Sequence, residues 1–246
     1  MKRALFVVYG VVAYAVFLVA FLGLIGFVEG VSPWRTLESG PFVPAGEAVL
    51  VNLGLLVLFA VQHSGMARRG VKRVLTAVVP SALERSTYVL VASASVLLLV
   101  GCWRAMPSVV WSVESGPARG ALYALSGLGW GIALFATVLL NHFELFGLRQ
   151  VWLAARRREL PSATFRTPLL YKLVRHPLYL GFVIAFWAAP TMSVGRLLFA
   201  AVTTAYILVA IQLEERDLTA VFGDRYRDYR RRVSMLIPIP RAKAAR

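Results

Sequence analysis

The side chains best suited to move a proton near neutral pH are imidazoles, and the chain has three: His63, His142 and His176. Each has polar company. Gln62 precedes His63, Asn141 precedes His142 with Glu144 and Arg149 soon after, and Arg175 precedes His176. Glu214 and Glu215 stand together where the last apolar run ends. Histidine beside a carboxylate or a cation suits general acid–base chemistry and the binding of a charged ligand. Any one of these residues could instead cap a helix or meet a headgroup. Independent segments delivering Gln, His, Asn, Glu and Arg to one membrane depth weigh toward a shared site. The single cysteine, Cys102, excludes an internal disulfide and any multi-cysteine metal site, and its apolar surroundings assign it to packing. No metal is expected.

The densest cluster is Arg175-His176-Pro177-Leu178-Tyr179-Leu180-Gly181. Pro177 has no N–H to donate and disfavours helix at His176. An irregular turn follows, tolerated at membrane depth only where it lines a cavity or is packed in protein. Tyr179 offers an aromatic wall and Gly181 room for close approach. Taken alone the segment is a helix break; its pairing with Glu214 and Glu215 favours a ligand site. Glu144 falls one turn from Asn141 on the same helical face. Beyond Glu215, the spacing of Leu218, Val221 and Phe222 predicts an amphipathic helix leaving the membrane. Tyr226 suits packing on its apolar side and Tyr229 either packing or the wall of a site. Arg230, Arg231 and Arg232 suit headgroups, and Pro238 and Pro240 close the tail.

These residues need elements to position them, and the apolar runs supply the elements. The chain is 59% hydrophobic, against roughly 45–50% in soluble domains. The excess comes in long charge-free stretches predicted to span at residues 4–28, 46–66, 87–106 and 121–143. The first run is too long for a signal peptide and reads as a retained helix. A shorter apolar pair, 178–190 and 196–213, predicts a C-terminal helical hairpin. Its first arm falls short of the ~20 residues a crossing needs, so a tilted and a re-entrant hairpin both remain open. Gly127, Gly129 and Gly131 sit inside a span with no preceding strand, a helix-packing face and not a nucleotide loop.

Charge orients these elements. With the N-terminus, the 67–86 and 144–177 loops and the 214–246 tail on one side, that side holds 23 of the 27 basic residues. The fold class is therefore an all-α, polytopic transmembrane helix bundle, four clear spans plus the hairpin, N-in and C-in. The net charge of +15 lies in connections, where anionic lipid headgroups attract it; nucleic acid is not expected, and no protein partner is implied. The spans lack mid-membrane charge, which counts against a transporter.

Arg-His-Pro-x-Tyr-x-Gly, then Glu-Glu, then Phe-Gly-x-x-Tyr-x-x-Tyr and a closing Pro, over residues 171–238, resembles the isoprenylcysteine carboxyl methyltransferase and phospholipid methyltransferase superfamily. Phe59-Ala60-Val61-Gln62-His63-Ser64, Leu83-Glu84-Arg85-Ser86-Thr87-Tyr88 and the segment from Asn141 to Gln150 are similar to its methanethiol S-methyltransferase branch. The resemblance implies transfer of a methyl group from S-adenosylmethionine to a small thiol, most simply methanethiol giving dimethyl sulfide, at the cytoplasmic face of a bacterial inner membrane. It implies a hairpin region, 165–240, holding the methyl donor through Arg175, His176, Pro177, Tyr179, Gly181, Glu214, Glu215 and Tyr229. Residues 1–150 are then the thiol side, with His142, Glu144, His63 and Arg149 as catalytic candidates and Arg85 as an alternative cation for the thiolate. Acceptors of the wider superfamily, a prenylcysteine carboxylate or a phospholipid amine, are the other readings of the same chemistry. A non-catalytic membrane scaffold is the reading from another class.

Overall fold

The computed structural model describes residues 2–162 and 164–239; Pro240 lies outside the described residues. Ten α-helices and two short strands occur among the described residues: α1 (Lys2–Glu29), α2 (Ala45–Met66), α3 (Arg69–Val78), α4 (Ser81–Cys102), β1 (Val109–Ser112), α5 (Gly116–Leu139), α6 (His142–Leu145), α7 (Leu148–Ala155), α8 (Pro177–Trp187), β2 (Thr191–Ser193), α9 (Val194–Phe222) and α10 (Asp224–Arg232). Five of them, α1, α2, α4, α5 and α9, are long and apolar enough to cross a membrane. In hydrocarbon only a helix satisfies its own backbone along a single segment, which is why these runs are helical despite many β-branched residues. The protein is an all-α, polytopic integral membrane protein.

Helix boundaries differ from the apolar limits at both ends of the middle spans. Hydropathy predicts a start at residue 87, whereas α4 begins at Ser81, directly after Pro80, and carries Glu84 in its first turn where the helix dipole favours an acid. The predicted 121–143 span is α5, which starts at Gly116 with Pro117 in its first turn and ends at Leu139. Asn141 takes a left-handed conformation, φ 77°, so Asn141 and Glu144 do not share a turn of that span. The hairpin is asymmetric. Its first arm, α8, is only 11 residues, while α9 runs 29 residues and passes through Glu214 and Glu215 without stopping. At about 1.5 Å per residue, α9 traverses the ~30 Å hydrocarbon layer in about 20 residues. Counted from Val194, that distance ends near Glu214, so the carboxylates fall where the helix leaves the apolar layer.

The fold divides into two compact units. The first comprises residues up to Trp111, 141–161 and 192–202. Here α4 packs on α1 and α2, and α7 lies on α1. Gly10 permits that last approach, since a Cβ there would lie 2.6 Å from Val151 Cγ2. Phe27, Trp103 and Phe199 meet edge to face. Asn52 is a fully buried amide inside α2, and both its functions are used: Nδ2 donates to Arg104 O at 2.9 Å and Oδ1 accepts from Arg104 N at 2.9 Å. Glu38 accepts from Ser193 Oγ and Arg196 Nε at 3.0 and 3.2 Å, pairing an acid of the α1–α2 connection with a base in the first turn of α9.

The second unit comprises residues 112–140, 162–191 and 203 onward. Its centre is the crossing of α5 and α8. A Cβ on Gly129 would lie 2.6 Å from Gly181 O, and one on Gly181 would lie 2.5 Å from Gly129 O. Ala133 and Ala185 continue the two small-residue stripes one turn on. Of the three glycines expected to form a packing face, only Gly129 lies in the crossing, with Gly181 as its partner; Gly127 and Gly131 are exposed and have nothing within 4 Å of a Cβ. Ser126 Oγ donates to Ala185 O at 3.1 Å, and Trp130 closes the interface against Phe182 and Phe186.

Candidate active site

In the second unit the chain between α7 and α8 passes through a 3-10 turn, Leu169–Lys172, before the Pro177 break. The backbone left open by that break is satisfied by the tail. Val174 bridges Ser234 in a parallel pairing, Arg175 N donates to Ser234 O at 2.8 Å, and His176 N donates to Met235 O at 3.2 Å. Of the two ways such a turn survives at membrane depth, this one is packed in protein.

The side chains converge on Glu215, which is 2% exposed. Its Oε1 accepts from Arg175 Nε at 2.6 Å and lies 3.0 Å from His176 Nε2; its Oε2 lies 2.9 Å from Arg230 Nε. Arg175 is buried too, and its Nη1 donates to Val233 O and Arg230 O at 2.5 and 3.2 Å. Glu215 therefore holds three partners and anchors the tail to α9. Glu214 is different: its side chain is 45% exposed, and its Oε2 lies 3.8 Å from His176 Nδ1. Tyr179 lies with its ring 5.7 Å from that of His176.

Behind this pair stand three buried phenols. Tyr229 donates to Tyr171 O at 2.5 Å. Tyr226 is 2% exposed, packed on Phe165 and Tyr229, and its hydroxyl is buried with no hydrogen-bond partner. Burial raises the pKa of Tyr226 and Tyr229 above the ordinary phenol value; the carboxylates of Glu215 and Glu214 add to this at Tyr226 while Arg175 opposes it. Sequence reasoning placed Tyr226 in packing, which accounts for its ring and leaves its oxygen unexplained.

The first unit brings together the three segments that carry the closer resemblance. His63, in the last turn of α2, has its Nε2 2.8 Å from Tyr88 Oη on α4, and its ring stacks on Phe59 at 5.1 Å. The Arg85 guanidinium lies 5.0 Å over the Tyr88 ring and its Nε donates to Leu145 O at 2.6 Å. Ser86 Oγ donates to Gly147 O at 3.4 Å. Gly147 has φ 89°, and a Cβ there would meet Ser86 Oγ at 2.6 Å, so both conformation and space require glycine. Asn141 caps α6 by accepting from Glu144 N, and its Nδ2 donates to Glu144 Oε2 at 3.1 Å.

Glu144 also pairs with Arg149, and Gln150 Nε2 donates to Glu144 O at 2.9 Å. His142 points elsewhere, with Nε2 2.8 Å from Tyr14 Oη on α1 and its ring 4.7 Å from that of Phe146. Burial lowers its pKa below the usual imidazole value. His63 and His142 thus belong to separate hydrogen-bonded groups. Tyr14 and Tyr88, which orient them, come from distant segments and carry no local signal. Phe143 and Trp152 are more than half exposed, whereas Phe146 stacks on Phe17.

Comparison with known proteins decides the family. A methanethiol S-methyltransferase of Mycobacterium tuberculosis is 57% identical over 240 residues, covering 98% of each chain. The chain belongs to the methanethiol S-methyltransferase family. Methanethiol S-methyltransferase 1 of Bradyrhizobium diazoefficiens is 54% identical over 94% of this chain and 81% of its own. Nurim of Danio rerio is a more distant relative, 31% identical over 75% of this chain and 69% of its own. No family model and no solved structure matches. A methyltransferase family implies a methyl donor.

Proposed function

We propose that this protein transfers a methyl group from S-adenosylmethionine to methanethiol, forming dimethyl sulfide, at the cytoplasmic face of a bacterial inner membrane. The observation that carries the reading is the relative from Mycobacterium tuberculosis, named for this reaction and aligned over nearly the whole of both chains. The side is argued from charge: 23 of 27 basic residues fall in the segments that flank the clusters, where anionic headgroups of the inner leaflet attract them.

The second unit fits such a donor. The orphaned Tyr226 hydroxyl and the half-exposed Glu214 carboxylate offer a donor and an anion, suited to the carboxylate and ammonium of an amino-acid moiety. Arg175, His176 and Glu215 hold the frame, Tyr179 and Tyr229 line it, and Pro177 and Gly181 set the entry and packing of α8. When bound, the donor supplies an electrophilic methyl on a sulfonium. The protein's share is to orient the reactants in line, exclude water so that thiolate and cation can annihilate charge, and remove the thiol proton. An alkyl thiol is no more acidic than free cysteine, at about 8.5, so a base assists near neutral pH. His63 and the His142–Glu144–Arg149 group are the residues of the first unit with that chemistry.

The test is direct. Purified protein incubated with S-adenosylmethionine and methanethiol should release dimethyl sulfide into the headspace, and omitting either reactant should abolish it. Bound donor with no dimethyl sulfide, but with methylation of a prenylcysteine or a lipid amine, would refute methanethiol as the acceptor. No donor binding would refute the reading altogether.

A further inference from the structure

Among the described residues, the imidazole in the first unit that retains an unused buried nitrogen is His63. Its Nδ1 is sealed from solvent and has no hydrogen-bond partner, and the side-chain amide oxygen Oε1 of Gln62, its neighbour in sequence, is likewise buried and unpartnered. Buried polar atoms are nearly always paired, so two adjacent exceptions on the last turn of a span need a reason. The rest of the His63 environment is closely specified. Phe59 covers one face of the ring, Tyr88 Oη holds Nε2 at 2.8 Å, and Arg85 sits over the Tyr88 ring while its Nε is tied to Leu145 O. The other candidates are already engaged: Glu144 by Arg149 and Asn141, and His142 by Tyr14 and by ring contacts with Phe143 and Phe146.

We infer that the His63 end of α2 is the thiol-binding site, with His63 Nδ1 as the base that takes the thiol proton and Tyr88 as the residue that positions it. This rests on the methyl-transfer reading above. In this assignment Nε2 carries the proton and donates to Tyr88 Oη, 2.8 Å away, and Nδ1 carries the free lone pair; a ring nitrogen's role is set by the bond its counterpart makes. The S–H bond breaks, its proton passes to Nδ1, and the thiolate sulfur forms a bond to the methyl carbon of a sulfonium donor. The donor's carbon–sulfur pair returns to its own sulfur. Two neutral thioethers and an imidazolium result, and the imidazolium releases its proton after the products leave. Phe59 supplies an apolar wall for a one-carbon thiol, and the Arg85 cation favours the anion over the thiol.

Among the described residues, Tyr88 and Arg85 from α4 lie toward His63, and Arg68, just beyond the end of α2, donates from Nε to Ser64 O at 3.1 Å. Among the basic residues of α3, Lys72 is engaged with Glu84 at 3.8 Å, and Arg69 and Arg73 are exposed. The pH response of the reaction is therefore expected to report His63 and the thiol themselves.

The experiment measures dimethyl sulfide formation in vesicles from pH 6 to 9.5 for wild type, His63→Gln, His142→Gln and Tyr88→Phe. S-adenosylmethionine affinity is measured by calorimetry on each. His63→Gln should lower kcat/KM for methanethiol by roughly 100-fold or more at neutral pH. The deficit should shrink by about tenfold per pH unit as the thiol ionises unaided, with donor affinity unchanged. Tyr88→Phe should lose roughly tenfold, with the same donor affinity and a profile displaced from wild type. His63→Gln with wild-type activity at neutral pH, or with an equal loss at every pH, would overturn the assignment, as would a pH-restored deficit in His142→Gln instead. If His63→Gln does not fold, Tyr88→Phe carries the test: an unchanged pH profile overturns the role of the pair. Wild-type protein without dimethyl sulfide would refute the proposed function; an active wild type with these outcomes reversed refutes this inference alone.

Discussion

Replacing Glu215 by Gln tests the centre of the second unit, because that side chain holds three partners with two oxygens. Arg175 at 2.6 Å and His176 at 3.0 Å share Oε1, and all three side chains are at least nine-tenths buried. Removing one partner of a buried ion pair costs about 3–5 kcal/mol, because the other charge is left without a counterion in a medium that cannot solvate it. Arg230 reaches Oε2 at 2.9 Å but its side chain is 45% exposed, so water screens its share to about 1 kcal/mol or less. The amide keeps one acceptor and turns an N–H toward a cation, so it cannot restore the network. We therefore expect Glu215→Gln to lose about 3–5 kcal/mol and Arg230→Gln less than about 1 kcal/mol.

Arg175 also donates to Arg230 O and Val233 O, so loosening it frees the tail that pairs with Arg175 and His176. S-adenosylmethionine affinity should then fall more than about tenfold in Glu215→Gln, a loss of about 1.4 kcal/mol or more. Unfolding of purified protein in one fixed detergent, compared across the three proteins, gives the order of stabilities, and calorimetry gives the donor affinity. Equal losses for Glu215→Gln and Arg230→Gln would refute the argument from burial. A destabilised Glu215→Gln that binds the donor as wild type does would refute the placement of the donor beside this network.

Gly181→Ala should cost about 1–3 kcal/mol by forcing α5 and α8 apart, since its Cβ would lie 2.5 Å from Gly129 O; unchanged thermal unfolding would refute that crossing. Tyr229→Phe leaves the buried Tyr171 carbonyl without its donor, for a loss of about 1–3 kcal/mol at neutral pH. Because burial raises the Tyr229 pKa above the unfolded value near 10, its contribution is complete below about pH 10 and is lost as pH climbs through the folded value. Wild type should therefore lose stability on alkaline titration more steeply than Tyr229→Phe. His142 shows the opposite sense: its folded pKa lies below the unfolded value near 6.5, so its contribution is complete above about pH 6.5 and fades as pH falls through the folded value. His142→Gln should flatten that acid limb in an unfolding series.

The long apolar helices were legible because hydrocarbon imposes one solution on such a segment. Their ends were not, because hydropathy marks where charge stops and not where the helix starts. Ser81, Glu84 and Arg85 are polar yet helical, placed by Pro80 and by the dipole of the first turn. Asn141 shows the converse. Helical spacing from Asn141 to Glu144 reads as one face, but a left-handed φ at Asn141 ends the span and makes the same spacing an N-cap, a bond from Glu144 N to the Asn141 side chain. Asparagine tolerates that conformation better than most residues, and no neighbour in the sequence says which alternative wins.

For the site, the difference lies between residue types and residue partners. Arg175, His176 and the Glu214–Glu215 pair stand out along the chain, because a proline break beside cations and a carboxylate pair are both local signals; the structure joins Arg175, His176 and Glu215 by hydrogen bonds. Their division of labour is a tertiary fact. Glu214 and Glu215 are both expected from the sequence to face ligand, and the structure commits both oxygens of Glu215 to Arg175, His176 and Arg230, leaving Glu214 as the more exposed carboxylate. The same holds in the first unit. His63 and His142 look alike along the chain, each following an amide at the end of an apolar run, but one meets Tyr88 and the other Tyr14, partners 25 and 128 residues away. Only those contacts show that one ring keeps a buried nitrogen unused. Three short segments with no mutual spacing rule, around His63, Arg85 and Asn141, are joined by Tyr88 Oη, Arg85 Nε and Ser86 Oγ. Three-dimensional closure of that kind is what a reaction at His63 would require, and what a set of independent helix caps would not.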